Sequence, residues 1–290
     1  MSNGSTKNLI KSENFAKISQ FSCFLVDNGS LRAEPTLNLR RIAIELGGRL
    51  GIPVHPVSLL HSSKVNNVHL EGIQANLLED SLRAYIQFPE SQPVLVLPLF
   101  FGPSRALTEY IPKILAKLSR EVPSLDIRLA NCLLSHNDDS SEFMARILLN
   151  RLQEVSQNFS PGDQVPQVVL VDHGSAVQEV LHVRQLVSRQ LKQVTLGKYD
   201  YIGDCSMENP QGAEKYNNRL LSELLSSVDP NIPVILSQLF FSNGRHAGKD
   251  GDIEKICRSS GHTAITLAQP ILNHPYLIDL LILRAIQAVQ

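Results

Sequence analysis

Two histidines and a glutamate stand just beyond the places where short apolar runs stop. The run Val168-Val169-Leu170-Val171 leads into Asp172-His173-Gly174-Ser175. A β-branched run that stops at glycine predicts a buried parallel strand feeding a tight turn, which puts His173 past the strand's carboxyl end. Glu208, in Met207-Glu208-Asn209-Pro210, follows the next predicted strand, and His246, in Gly244-Arg245-His246, follows the one after that. Two imidazoles and a carboxylate suit a divalent first-row metal such as cobalt, iron, nickel or zinc. A neutral imidazole also accepts a proton near pH 7.

The elements that must position this trio form a repeating programme. Short apolar strands alternate with longer amphipathic segments, which predicts βαβ units and parallel sheets covered on both faces. Strands are expected at 21–27, 54–60, 93–100 and 126–133, then at 167–172, 199–206, 233–240 and 263–268. Helices are expected at 35–50, 73–87, 106–120 and 141–155, then at 177–194, 210–228, 250–260 and 275–289. The two halves share local sequence: Val26-Asp27-Asn28-Gly29-Ser30 parallels Val171-Asp172-His173-Gly174-Ser175, and Leu99-Phe100-Phe101 followed by Arg105 parallels Leu239-Phe240-Phe241 followed by Arg245. Ile127-Arg128-Leu129-Ala130 likewise parallels Ile265-Thr266-Leu267-Ala268. Matches in one order along the chain indicate a duplication. The expected organisation is a flexible leader over 1–20, one repeat over 21–157, a linker over 158–166 and a second repeat over 167–290. Each repeat is expected to be a four-stranded parallel sheet in flavodoxin-like order 2-1-3-4. In that order the loops carrying Glu208, His173 and His246 lie side by side at the switch point where ligands bind.

Composition narrows the setting. With 290 residues, 43% of them hydrophobic, the chain can bury a substantial core. A net charge of −1 argues against a nucleic-acid surface or a polybasic membrane anchor. Cys23, Cys132, Cys205 and Cys257 are far apart, so neither a zinc knuckle nor a disulfide framework is indicated, and a reduced cytoplasmic setting is expected. No apolar stretch approaches the roughly 20 residues that a membrane span needs.

At Val171-Asp172-His173-Gly174-Ser175, at Met207-Glu208-Asn209-Pro210, and at Leu239-Phe240-Phe241-Ser242-Asn243-Gly244-Arg245-His246 with Asp252-Ile253 beyond, the sequence resembles the class II chelatases of tetrapyrrole biosynthesis. Within that family it resembles specifically the sirohydrochlorin cobaltochelatases and ferrochelatases, and the resemblance spans roughly 21–290, including the closing Ile271-Leu272-Asn273-His274-Pro275. It implies insertion of a divalent metal, Co2+ or Fe2+ with Ni2+ also conceivable, into a macrocycle such as sirohydrochlorin. His173 and His246 would position metal and accept protons, with Glu208 as ligand or relay. Gly174 and Ser175 backbone groups at a helix start, with Arg245 and Lys249, would hold the macrocycle's peripheral carboxylates. Phe100, Phe101, Phe240 and Phe241 would offer a flat apolar wall. In the first half Asn28 and Ala106 replace the two histidines. That half is expected to serve as a scaffold.

Plainer roles stand beside each of these. A lone histidine after a strand most often completes a turn, Glu208 before Asn-Pro could cap a helix, and strand-end phenylalanines are usually core. Cys205 reads as a buried inert thiol. His55, His61 and His69 have no partner loop that would make a second metal site. A nucleotide site is excluded: Gly244-Arg245-His246-Ala247-Gly248-Lys249-Asp250 has one residue too few between its glycines and Asp where a phosphate loop needs Ser or Thr. No G-x-S-x-G turn is present to expose a hydrolase nucleophile. The rival from another class is a carrier that binds metal or tetrapyrrole without turnover.

Overall fold

The computed structural model describes residues 12–88, 92–135, 140–157, 164–213, 216 and 218–290. Two four-stranded sheets carry the fold. The first contains β1 (Ser22–Asp27), β2 (Val54–Ser58), β3 (Val94–Pro98) and β4 (Ile127–Leu129) in the order β2-β1-β3-β4. The second contains β5 (Gln167–Asp172), β6 (Asp200–Ser206), β7 (Val234–Gln238) and β8 (Ile265–Leu267) in the order β6-β5-β7-β8. All pairings are parallel. This is the expected 2-1-3-4 arrangement, twice.

The sequence explains which strands are central. Residues Val168 to Val171 of β5 and Val94 to Leu97 of β3 are apolar at every position and fully buried, as strands covered on both faces must be. The edge strands β4 and β8 are only three residues long and half-buried, which keeps their free edges short.

Helices cover the faces: α1 (Ser12–Ile18), α2 (Ala33–Leu50), α3 (Leu78–Tyr85), α4 (Ile111–Glu121), α5 (Ser140–Ser156), α6 (Gln178–Thr195), α7 (Leu221–Ser226), α8 (Asp252–Ser259) and α9 (Pro275–Val289). Gly51 ends α2 at φ 72°, a left-handed cap that glycine adopts without strain. A wider turn over Ala106–Tyr110 leads into α4, which has a proline in its first turn. Among the described residues no helix is long and apolar enough to cross a membrane.

Three expectations need correction. Residues 1–11 of the expected leader lie outside the described residues, but Ser12–Ile18 is helical and Ile18 is buried. The helix expected over 210–228 contracts to Leu221–Ser226, although 214, 215 and 217 lie outside the described residues. The helix expected over 73–87 contracts to Leu78–Tyr85. In both cases the residue preceding the helix bridges to the sheet edge, Leu77 to Ser58 and Leu220 to Ser206. Backbone bonds from Ser58 N to Asn76 O and from Ser206 N to Arg219 O hold these segments extended.

The chain forms two compact units, Met1–Leu133 with Ile278–Gln290, and Leu134–Leu277. These packing units differ from the repeats expected at 21–157 and 167–290, because α5 packs with α6 and β7 in the second unit. Most of α9 belongs to the first unit. There the buried Arg284 donates to the carbonyls of Cys132 and Leu133, both at 2.7 Å. An amphipathic pattern specifies that a helix must cover a sheet, not which of two similar sheets it covers. Of the linker expected over 158–166, residues 158–163 lie outside the described residues.

Candidate functional site

At the carboxyl ends of three adjacent strands of the second unit, His173 stands beside both Glu208 and His246. His173 follows β5, which is central, so it stands between the other two. Its Nε2 lies 3.4 Å from Glu208 Oε1, and its ring centroid lies 4.6 Å from that of His246, the rings meeting edge to face at 84°. Glu208 is held there by backbone. Met207 N donates to Asp172 O at 2.7 Å and Glu208 N to His173 O at 3.2 Å, extending the β5–β6 ladder past the strands.

Gly174 makes this approach possible. It sits at φ 97°, and a Cβ on it would fall 2.2 Å from the Glu208 carbonyl oxygen. Any other residue would therefore push the turn away from Glu208. Gly29, at φ 84° and hard against the Leu60 carbonyl, makes the same turn in the first unit. Helix α6 starts only at Gln178, so Gly174 and Ser175 form the turn before the helix and not its first residues. Ser175 Oγ accepts from Val177 N at 3.0 Å.

His246 stands in a loop tied back on the start of α8: Asp252 N and Ile253 N both donate at 3.1 Å, to the carbonyls of Arg245 and His246. Its Nδ1 is 2.8 Å from Asp252 Oδ2. Burial and the neighbouring His173 ring push the His246 pKa below the ordinary imidazole value, outweighing the opposite pull of Asp252. Burial pushes the Asp252 carboxyl upward, but its bonds from His246 and Lys255 outweigh that and hold it below the usual carboxylate range. The imidazole is thus neutral near pH 7, with Nδ1 turned toward a carboxylate and Nε2 left for other partners.

The remaining candidates are placed differently. Arg245 is exposed, its Nε 3.7 Å from Asp252, and Lys249 is exposed on the same loop. Phe100 is buried in the first unit's core and Phe240 packs against the second's, so both serve the sheets. Cys205 is buried and its thiol pushed far up by desolvation, and all four cysteines are free thiols. In the first unit Asn28 is exposed, Ala106 is buried, and His55 stacks on Phe24 with ring centroids 4.9 Å apart. Among the described residues no group of three or more His, Cys, Asp or Glu side chains is arranged to hold a metal ion.

Beneath His173 lies a network that sequence reasoning missed. Arg184, on α6 and 3% exposed, donates to Asp172 Oδ1 at 3.0 Å, Asp204 Oδ2 at 2.7 Å, Asn218 Oδ1 at 2.7 Å, and Ser206 Oγ. Ser206 Oγ also donates to Asp172 Oδ1 at 2.8 Å. The residue immediately before His173 is therefore locked to helix α6 and strand β6. A signal was available in the repeat: the equivalent helix position in the first half is Leu39, so an arginine there marks something the second half alone requires.

Two four-stranded parallel sheets of order 2-1-3-4, flanked by helices, make a chelatase-like α/β fold. SirB from Bacillus subtilis with Fe3+ superposes with a TM-score of 0.68 at 16% identity, over 91% of this chain and 93% of that one. The sirohydrochlorin chelatase SirB from Bacillus subtilis subspecies spizizenii in complex with cobalt gives 0.66 at 15% identity, over 92% and 94%. CbiX, the terminal enzyme for biosynthesis of siroheme in denitrifying bacteria, gives 0.58 at 11% identity, over 92% and 98%. By sequence, no family model matches the chain and no curated protein is significantly similar to it. The likeness is one of fold.

Proposed function

We propose that the chain inserts a divalent metal, cobalt or iron, into a tetrapyrrole such as sirohydrochlorin, both metal and macrocycle being substrates. The observation that carries this reading is the meeting of His173 and His246, 4.6 Å apart at the ends of neighbouring strands, with Glu208 3.4 Å from His173. Insertion replaces two pyrrole N–H protons by one metal ion, so a site must offer the ion a temporary lodging and take up two protons. His173 and His246 position the ion and accept protons, and Glu208 acts as carboxylate ligand or relay. Arg245, Lys249 and the backbone N–H groups of Gly174 and Ser175 bind peripheral carboxylates of the macrocycle. The fold shared with SirB and CbiX supports this assignment.

The test is absorbance-monitored insertion of Co2+, Fe2+ or Ni2+ into sirohydrochlorin, compared with a protein-free blank. The wild type should exceed the blank, and His173→Ala and His246→Ala should each lose about 10²-fold or more of that excess. Rates equal to the blank, with metal or macrocycle still bound, would instead identify a carrier.

A further inference from the structure

The first unit contains a cavity of about 260 Å3 between α2, β2 and the segment 73–76. Its position acquires meaning from the repeat. Strand register makes Asp27, opposite Ser58, the equivalent of Asp172, opposite Ser206. The same register equates Val54 with Tyr201 and Pro56 with Asp204. The bridges to Leu77 and Leu220 equate Ala75 with Asn218. Helices α2 and α6 are both 18 residues long, and end-to-end alignment equates Leu39 with Arg184 and Ala43 with Ser188.

The cavity is therefore lined by Leu39, Ala43, Val54, Pro56, Ser58 and Ala75, where the second unit has Arg184, Ser188, Tyr201, Asp204, Ser206 and Asn218. Five of the six are smaller or less polar, and the sixth is the same serine. In the second unit those side chains hydrogen-bond one another, Arg184 to Asp204, Ser206 and Asn218, and Ser188 Oγ to Tyr201 and Asp204. The first unit has leucine where the second has the guanidinium.

What remains in the first unit still asks for a cation. Ser58 on the cavity wall hydrogen-bonds Asp27, yet Asp27 Oδ1 is sealed from solvent without a partner among the described residues. Thr36, 4% exposed, also lines the cavity, and its Oγ1 has no partner either. Burying such groups unmatched costs stability that a fitting donor would restore. Arg40 is the one cation on the wall. Its guanidinium is spent on the carbonyls of Leu70, Ile73 and Gln74 at 2.8, 2.7 and 3.3 Å, leaving Asp27 unmatched. Around the same cavity stand Ile44 and Ile73, 76% and 62% exposed, an apolar surface suited to a hydrocarbon stem.

We propose that this cavity binds a small alkylguanidinium cation, its planar head in the place that Arg184 fills in the second unit and its stem against Ile44 and Ile73. The head donates to Ser58 and Thr36 on the wall, and Asp27, which Ser58 hydrogen-bonds and whose counterpart Asp172 takes the Arg184 guanidinium in the second unit, supplies the counter-charge. The site is independent of the histidine cluster and of the proposed insertion reaction.

Ethylguanidinium, its neutral near-isostere ethylurea, and propionate are titrated, below denaturing concentrations, against the full chain by ligand-observed NMR and by the thermal unfolding midpoint. Ethylguanidinium should bind saturably and raise the midpoint, ethylurea should bind about tenfold more weakly or not at all, and propionate should not bind. Asp27→Asn should weaken ethylguanidinium about tenfold. Leu39→Arg, which restores an internal guanidinium, should abolish binding. Absence of saturable ethylguanidinium binding would overturn the proposal, as would equal binding of ethylurea or propionate, or unchanged binding in Leu39→Arg. The Leu39→Arg result and the probe comparison decide the matter even if Asp27→Asn fails to fold.

Discussion

His246 Nδ1 lies 2.8 Å from Asp252 Oδ2, so one carboxylate fixes both the tautomer and the direction of the imidazole. Asp252→Asn removes the group that draws His246 upward while leaving burial and His173 to push it down. The proposed insertion activity, for which His246 would act as a neutral ring, should rise as pH rises through the His246 titration. In the variant the acid limb of that profile should move to lower pH, and the plateau rate should fall about 10- to 100-fold. A lower plateau with an unmoved acid limb would mean that Asp252 acts only as scaffolding.

Gly174 offers a sharper perturbation of the same site. A methyl group at φ 97°, 2.2 Å from the Glu208 carbonyl, must displace either the turn or Glu208. Gly174→Ala should cost at least about 2 kcal/mol by urea unfolding. It should also reduce insertion more than Ser175→Ala, which removes one hydrogen bond to Val177 N. Equal effects of the two substitutions would show that the tight approach does not matter.

The strand-end cluster was legible in the sequence because His173 and His246 follow apolar runs, and local stops mark the turns, Gly174 after His173 and Pro210 after Glu208. Parallel topology then brings consecutive strand ends together whatever the details of the helices. Arg184 was not legible in the same way. Its partners Asp172, Asp204, Ser206 and Asn218 come from three segments, and a single arginine on an amphipathic helix reads as surface. The exchange of α5 and α9 between units was hidden for a related reason: both sheets present equivalent apolar faces. The extended segments before α3 and α7 were misread as helix because bridging to Ser58 or Ser206 leaves no periodic signature.

Replacing Arg184 by leucine, the first unit's choice at Leu39, should destabilise the second unit by roughly 3–5 kcal/mol, since Asp172 and Asp204 are left without their cation. Removing one of the stranded acids as well, in Arg184→Leu/Asp204→Ala, should recover part of that loss. Urea unfolding of the wild type, both single variants and the double variant measures the coupling. Strictly additive effects would contradict a network. Because Asp172 adjoins His173, insertion should fall in Arg184→Leu even where the protein remains folded.

The first unit supplies the converse case, a carboxylate that has no arginine. Part of Asp27 remains exposed as a residue, but its carboxyl is enclosed, and burial pushes its pKa up to about 6 against the hydrogen bonds from Ser58 and Gly29. An unfolded aspartate titrates near 4, so the native state holds this proton more tightly than the unfolded chain does. The stability this group contributes is complete below about pH 4 and is lost as pH rises through about 6, a change of at most about 3 kcal/mol. Asp27→Asn cannot ionise and should escape that loss. Urea unfolding from pH 4 to pH 8 should show wild type and variant converging at the acid end and the variant gaining about 1–3 kcal/mol at the alkaline end. Parallel curves across the range would mean that Asp27 finds a compensating partner when it ionises.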